Sequence, residues 1–209
     1  MRIALTTRQV LEGCVVAAVA ALAALTASCT SPRAPADSDE PAIRWVDPSD
    51  TGPRGQAPGA KLRLIAAHAD GSKSYVLVLS RGDEALTALA DFARVQKVVD
   101  AHFVGIGAVR DPEVAWFDPG RNQYKGMSLH EQMEVLTLSG DIALGENAAP
   151  VVHAHLVLGR SDGRAWGGHL LRATTSPTLE LYVTTYPQPL HKQKEPETGL
   201  QLIDPSLAP

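Results

Sequence analysis

Apolar and polar positions alternate along residues 152–156 of "VVHAHLVLG", with His153 and His155 on one side and Val152, Ala154 and Leu156 on the other. A period of two is the mark of a strand with one face buried. The stretches "KLRLIAAH" from Lys61, "SYVLVLS" from Ser74, "HFVGIGAVR", "EVAWFD", "QYKGMS" and "MEVLTLSGDIAL" alternate or run apolar in the same way. So do "AWGGHLLRA" and "TLELYVTTY", and all of them read as short strands between turn residues. Asp70-Gly71 and Asp162-Gly163 read as hairpin turns.

One window changes period. In "RGDEALTALADFARVQKVVD", Leu86, Leu89, Ala90 and Ala93 fall on one helical face, and Asp83 is placed to cap the helix. No internal repeat is visible. Many strands and a single helix predict an α+β fold, a mostly antiparallel sheet with one main helix packed on it.

The ends differ from the middle. Arg2 and Arg8 precede the apolar run "CVVAAVAALAALTAS" at 14–28, which is short for a membrane span of roughly 20 residues and reads as a signal peptide over 1–28. "LTASC" resembles the lipobox of bacterial lipoproteins, which makes Cys29 the expected lipidated residue of an exported, membrane-anchored protein. Residues 29–60, rich in Pro, Ser, Asp and Gly, read as a flexible linker from that anchor. The folded domain is expected over 61–187, and 188–209 as a loosely ordered tail.

Composition narrows the function. The 44% hydrophobic content suffices for a folded core. Removal of 1–28 takes away Arg2, Arg8 and Glu12 and leaves 17 basic against 22 acidic residues, a net of -5. That balance disfavours nucleic acid, which attracts basic domains. "GPRGQAPG" has Gln56 and Ala57 where an AT-hook has its second arginine and its proline, so it lacks the minor-groove contact. The chain has two cysteines, Cys14 and Cys29, so the folded domain holds no disulfide.

Three histidines carry the candidate chemistry. His153 and His155 project together from one strand face. A tight hairpin centred on Asp162-Gly163 would place His169 opposite Leu156, on the wrong face. A one-residue bulge at Gly167-Gly168 or Gly159 would set it opposite His155. Three neutral imidazoles then leave one position open on a tetrahedral divalent ion, with zinc the favoured occupant. Their ring nitrogens should then lie within roughly 4 Å of one another, twice the metal–nitrogen distance, with a carboxylate, carbonyl or water on the second N–H of at least one ring. Glu180 is a candidate general base or outer partner, and Arg172 a candidate for a substrate carboxylate. His68, His102, His130 and His191 read as ordinary residues. Gly105 and Gly107 read as packing glycines, and "TLSG" at 137–140 as a strand followed by a turn.

"FVGIGAVRDPEVAWFD", "MEVLTLSGDIAL", "VVHAHLVLGRSDGRAWGGHLL" and "LELYV", in this order, resemble the plants-and-prokaryotes-conserved domain, written PPC or PCC. The resemblance runs from about Ser74 to Tyr186. It implies the same α+β fold, commonly assembled as a homotrimer. Plant members carry the domain after AT-hooks in nuclear DNA-binding proteins. The fold is also similar to acetolactate decarboxylase, a zinc enzyme with histidine ligands. The functions in view are a metal-binding module that could take a small-molecule ligand, a metal-dependent hydrolase or lyase on a small carbonyl or carboxylate compound, and a DNA-binding protein. The export signal and the absent AT-hook separate this chain from the last.

Overall fold

The computed structural model describes residues 40–207. Ten strands and one α-helix follow one another in the order β1 (Ala42–Val46), β2 (Lys61–Ala67), β3 (Lys73–Ser80), α1 (Ala85–Gln96), β4 (Asp100–Asp118), β5 (Gln123–Ser128), β6 (Gln132–Leu144), β7 (Pro150–Gly159), β8 (Ala165–Thr185), β9 (Lys192–Lys194) and β10 (Gln201–Ile203). Eight of the strands form one antiparallel sheet in the order β1-β5-β4-β6-β7-β8-β3-β2. A further pairing of β4 with β8 closes the long strands β4, β6, β7 and β8 on themselves.

Closure is possible because β4 and β8 are long and bent. Residues 100–110 of β4 pair with β6, and residues 113–118 pair with β5, on either side of Asp111 and Pro112. The two strands expected there are therefore one. Likewise "AWGGHLLRA" and "TLELYVTTY" are one strand, β8, whose first part pairs with β7 and second part with β3. "TLSG" does not end in a turn but continues through β6.

The inward face carries the core: Leu138, Leu156, Leu158, Leu170, Leu179 and Leu181 are almost wholly buried. The helix lays Leu86, Leu89, Phe92 and Ala93 on this face, with Phe92 edge-on to Tyr75 at 5.3 Å between ring centroids. Burying each of the leucines and the phenylalanine contributes about 1.5–3 kcal/mol. The helix cap is Glu84 rather than Asp83, its carboxylate accepting from the amides of Leu86 and Thr87. Asp83 instead accepts from the amides of Gly59 and Ser80.

Both flanks depart from expectation. The stretch read as a flexible linker contains β1, paired with β5 from Ala42↔Ser128 to Val46↔Tyr124. Ala42, Arg44 and Val46 alternate with Ile43 and Trp45, a strand pattern masked by surrounding Pro and Asp. The tail expected to be loose contains β9 and β10, paired with each other. The signal segment, Cys14 and Cys29 lie outside the described residues. Among the described residues no helix is long and apolar enough to cross a membrane.

Candidate metal centre

The site is built on the β7–β8 hairpin. Ala154, Leu156 and Leu158 are buried, so β7 is locked with His153 and His155 facing outward. A one-residue slip would bury both histidines and expose three apolar side chains.

The turn sets the register across the hairpin. The amide of Arg160 donates to Arg164 O at 2.8 Å, and that of Gly163 to Arg160 O at 3.0 Å. The loop is thus three residues, Ser161–Asp162–Gly163, with Gly163 at φ +83°. This is the hairpin in which a left-handed glycine supplies the extra residue. Asp162 stiffens it by accepting from the Arg164 amide at 2.9 Å. Pairing then runs without a break from Gly159↔Ala165 to His155↔His169. The bulge expected at Gly167-Gly168 or Gly159 is absent from the hairpin, because the odd residue is already in the turn. Gly168 serves the packing of β8 on β4 instead. A Cβ there would lie 2.5 Å from Ala115 O, so only glycine lets the two strands approach this closely.

The three imidazoles come together. Each offers one ring nitrogen, and these nitrogens lie within 4.8 Å of one another. Ring centroids are 5.1 Å apart for His153–His155, 5.3 Å for His153–His169 and 5.5 Å for His155–His169. The span is somewhat wider than the roughly 4 Å expected for ligands of one ion. His155 is exposed and His153 half-exposed, so small rotations of these rings can narrow it.

His169 is the most deeply set of the three. It stacks on Tyr124 of β5, centroids 4.6 Å apart and planes 19° from parallel. Burial, then the neighbouring His153 and His155, hold its pKa down to about 3, so the ring is neutral at physiological pH. The Nδ1 atom of His169 is buried with no hydrogen-bond partner among the described residues, which costs about 1–3 kcal/mol unless something else satisfies it. Burial and His153 shift the pKa of His155 downward as well. The neutral His169 ring and its buried, unsatisfied nitrogen suit a divalent metal.

A carboxylate that sequence reasoning missed stands beside the cluster. Asp141 of β6 lies directly across from His153 in the β6–β7 ladder. Its Oδ2 is 3.3 Å from His153 Nδ1. Its Oδ1 is 2.5 Å from the ammonium of Lys192, whose side chain is 1% exposed. Burial alone would raise the pKa of Asp141, but the His153 and Lys192 contacts outweigh it, and the carboxyl titrates below its ordinary range. Glu180, by contrast, is not brought to the histidines. It pairs with Ile106 of β4, with β6 between that strand and β7. It lines a cleft with Ile106, Glu134 and Leu136 instead. Arg172 lies in a cleft with Arg44, Arg54 and Glu113. His102 meets the Tyr186 hydroxyl at 2.9 Å, and His68 lies 3.3 Å from Ser74 Oγ. Neither belongs to the cluster.

With this geometry in place, comparison with known proteins is informative. Residues 66–187 match the Plants and Prokaryotes Conserved (PCC) domain. The chain belongs to the PCC family. Among solved structures it is similar to a candidate DNA-binding protein from Bacteroides thetaiotaomicron, 27% identical, covering 70% of this chain and 97% of that one with a TM-score of 0.64. It is similar to a plant- and prokaryote-conserved protein from Pyrococcus horikoshii, 26% identical, covering 69% and 94% with a TM-score of 0.59. A metal-containing protein from Archaeoglobus fulgidus is 29% identical, with 63% and 93% covered and a TM-score of 0.58. No functionally curated protein matches. The PCC match excludes β1, β9, β10 and Lys192.

Proposed function

We propose that this PCC domain binds a divalent metal ion, zinc being the favoured one, through His153, His155 and His169. The observation that carries the reading is the convergence of three ring nitrogens within 4.8 Å, on rings whose environment keeps at least His169 neutral. Imidazole nitrogens suit zinc, and three of them leave a position open. His155 is exposed, so an ion held by the three rings would be reachable from solvent, which favours a site that admits a small carbonyl or carboxylate ligand. A metal there would polarise the ligand's oxygen or a bound water. The metal-containing relative from Archaeoglobus fulgidus supports the reading. Calorimetric titration of the chelator-treated protein with zinc tests it: one site per chain is expected, weakened by any single His→Ala change. No heat above dilution would reject it.

The reading extends to location and assembly. The "LTASC" motif supports lipidation at Cys29 of an exported protein, with residues 30–39 and the segment before β1 as the spacer. Cys29→Ala should move the protein from membrane to soluble fraction, and an unchanged distribution would count against the anchor. A homotrimer, which the family resemblance implies, would cover the exposed outer sheet face around Ile106. The acidic balance argues against nucleic acid, and a mobility shift at nanomolar protein and physiological salt would restore that alternative.

A further inference from the structure

We propose that Lys192, on a C-terminal segment outside the family match, is a positioning residue for the histidine site: it pins Asp141, and Asp141 fixes His153 as the tautomer whose Nε2 is left to bind metal. The inference rests on the metal-binding reading and names the part of this chain that prepares one ligand.

The segment after β8 is not a loose end. The amide of Leu144 donates to Leu190 O at 2.8 Å, and His191 bridges to Leu144. The amide of Lys194 donates to Glu146 Oε1 at 3.3 Å. Asn122 Nδ2 donates to Glu197 O at 2.7 Å. Leu200 packs on the small cluster of Val46, Ala115, Tyr124 and Leu171, the same Tyr124 that stacks on His169. The segment therefore runs from the end of β6 to β5, along one side of the site.

Lys192 sits in this segment with its side chain buried. An ammonium taken out of water costs several kcal/mol unless paired, and an apolar side chain of similar size would commonly do as well for stability. Its charge is met by Asp141 Oδ1 at 2.5 Å, and it also donates to Val151 O at 3.4 Å. A carboxylate paired in this way has only acceptors to offer. Its other oxygen lies against His153 Nδ1 at 3.3 Å, so that nitrogen must carry the ring proton. The lone pair is then on Nε2. The order lysine, carboxylate, histidine is a metal ligand's outer support with one further link behind it.

The link makes a sign-reversing test possible. In Asp141→Asn, Lys192 still demands an oxygen, so the amide must turn its NH2 toward His153 Nδ1. That ring must then switch to the Nε2–H tautomer. In the double variant Asp141→Asn/Lys192→Met the amide is free to turn its oxygen back, and the original tautomer returns. Nitrogen-15 NMR of the histidine rings reads the tautomer in the metal-free protein, and zinc titration reads its consequence. Zinc affinity is expected to fall roughly 10–100-fold in the single variant and to recover in part in the double. A single variant that keeps Nδ1–H, or a double variant weaker than the single, would overturn the proposal and leave Lys192 a structural strut. Should the double variant not fold, the tautomer in Asp141→Asn alone decides. If wild type binds no zinc, the metal reading fails while the tautomer result still judges the link.

Discussion

His155 and His169 stand directly opposite each other across the β7–β8 hairpin, ring centroids 5.5 Å apart. The relationship depends on the turn at the end of the hairpin rather than on the rings themselves. A two-residue loop would have put Leu156 opposite His169. The third loop residue, Gly163 in left-handed conformation, is what makes the site.

Gly163→Val should therefore cost about 1–2 kcal/mol, because a branched residue resists positive φ. Thermal unfolding measures this, with an expected fall in Tm of roughly 2–8 °C for a domain of this size. Nothing lies within 4 Å of a Cβ at Gly163, so the loss would be conformational and not a clash. An unchanged Tm would mean the loop has another conformation in solution.

Acid should destabilise the metal-free protein through His169. Its folded pKa of about 3 lies below the ordinary 6.5, so between these values the unfolded chain holds a proton that the folded one refuses. Stability is then complete above pH 6.5 and declines as pH falls toward 3. His169→Phe keeps a ring against Tyr124 but removes the titrating group. Its Tm should decline less than wild type between roughly pH 7 and pH 4 in the presence of chelator. Parallel declines would show that His169 is not what couples folding to acid.

Much of this was legible in the chain. The alternation of residues 152–156 within "VVHAHLVLG" marks both the strand and the shared face of His153 and His155. The offset of His169 was harder, because Asp-Gly serves two-residue and three-residue hairpin loops alike, and they differ by one residue in register. Asp141 escaped notice for a different reason. It lies on the neighbouring strand, and only the pairing of β6 with β7 makes it a neighbour of His153. The alternation of Ser139 and Asp141 on the outward side of β6 was the available signal. Lys192 carried none: one lysine in a polar, proline-bearing tail has no periodicity to reveal burial. Strand β1 was hidden by its Pro-rich and Asp-rich surroundings.

The outer sheet face gives an assembly prediction. Ile106 is 62% exposed, Tyr182 60% and Leu136 55%, and Val104 pairs directly with Tyr182 beside them. An uncovered apolar group of this kind marks an interaction surface. For the homotrimer proposed above, Ile106→Asp should shift the mass found by light scattering from three chains to one, with circular dichroism unchanged. A wild-type mass of one chain at micromolar concentration would contradict the trimer.

The most direct test of the central claim is elemental analysis of the protein purified without a chelating column and supplied with zinc. About one metal ion per chain is expected for wild type, less for any single His→Ala change, and none for His153→Ala/His169→Ala. A wild-type protein that retains no metal, or a double variant that retains a full complement, would contradict it.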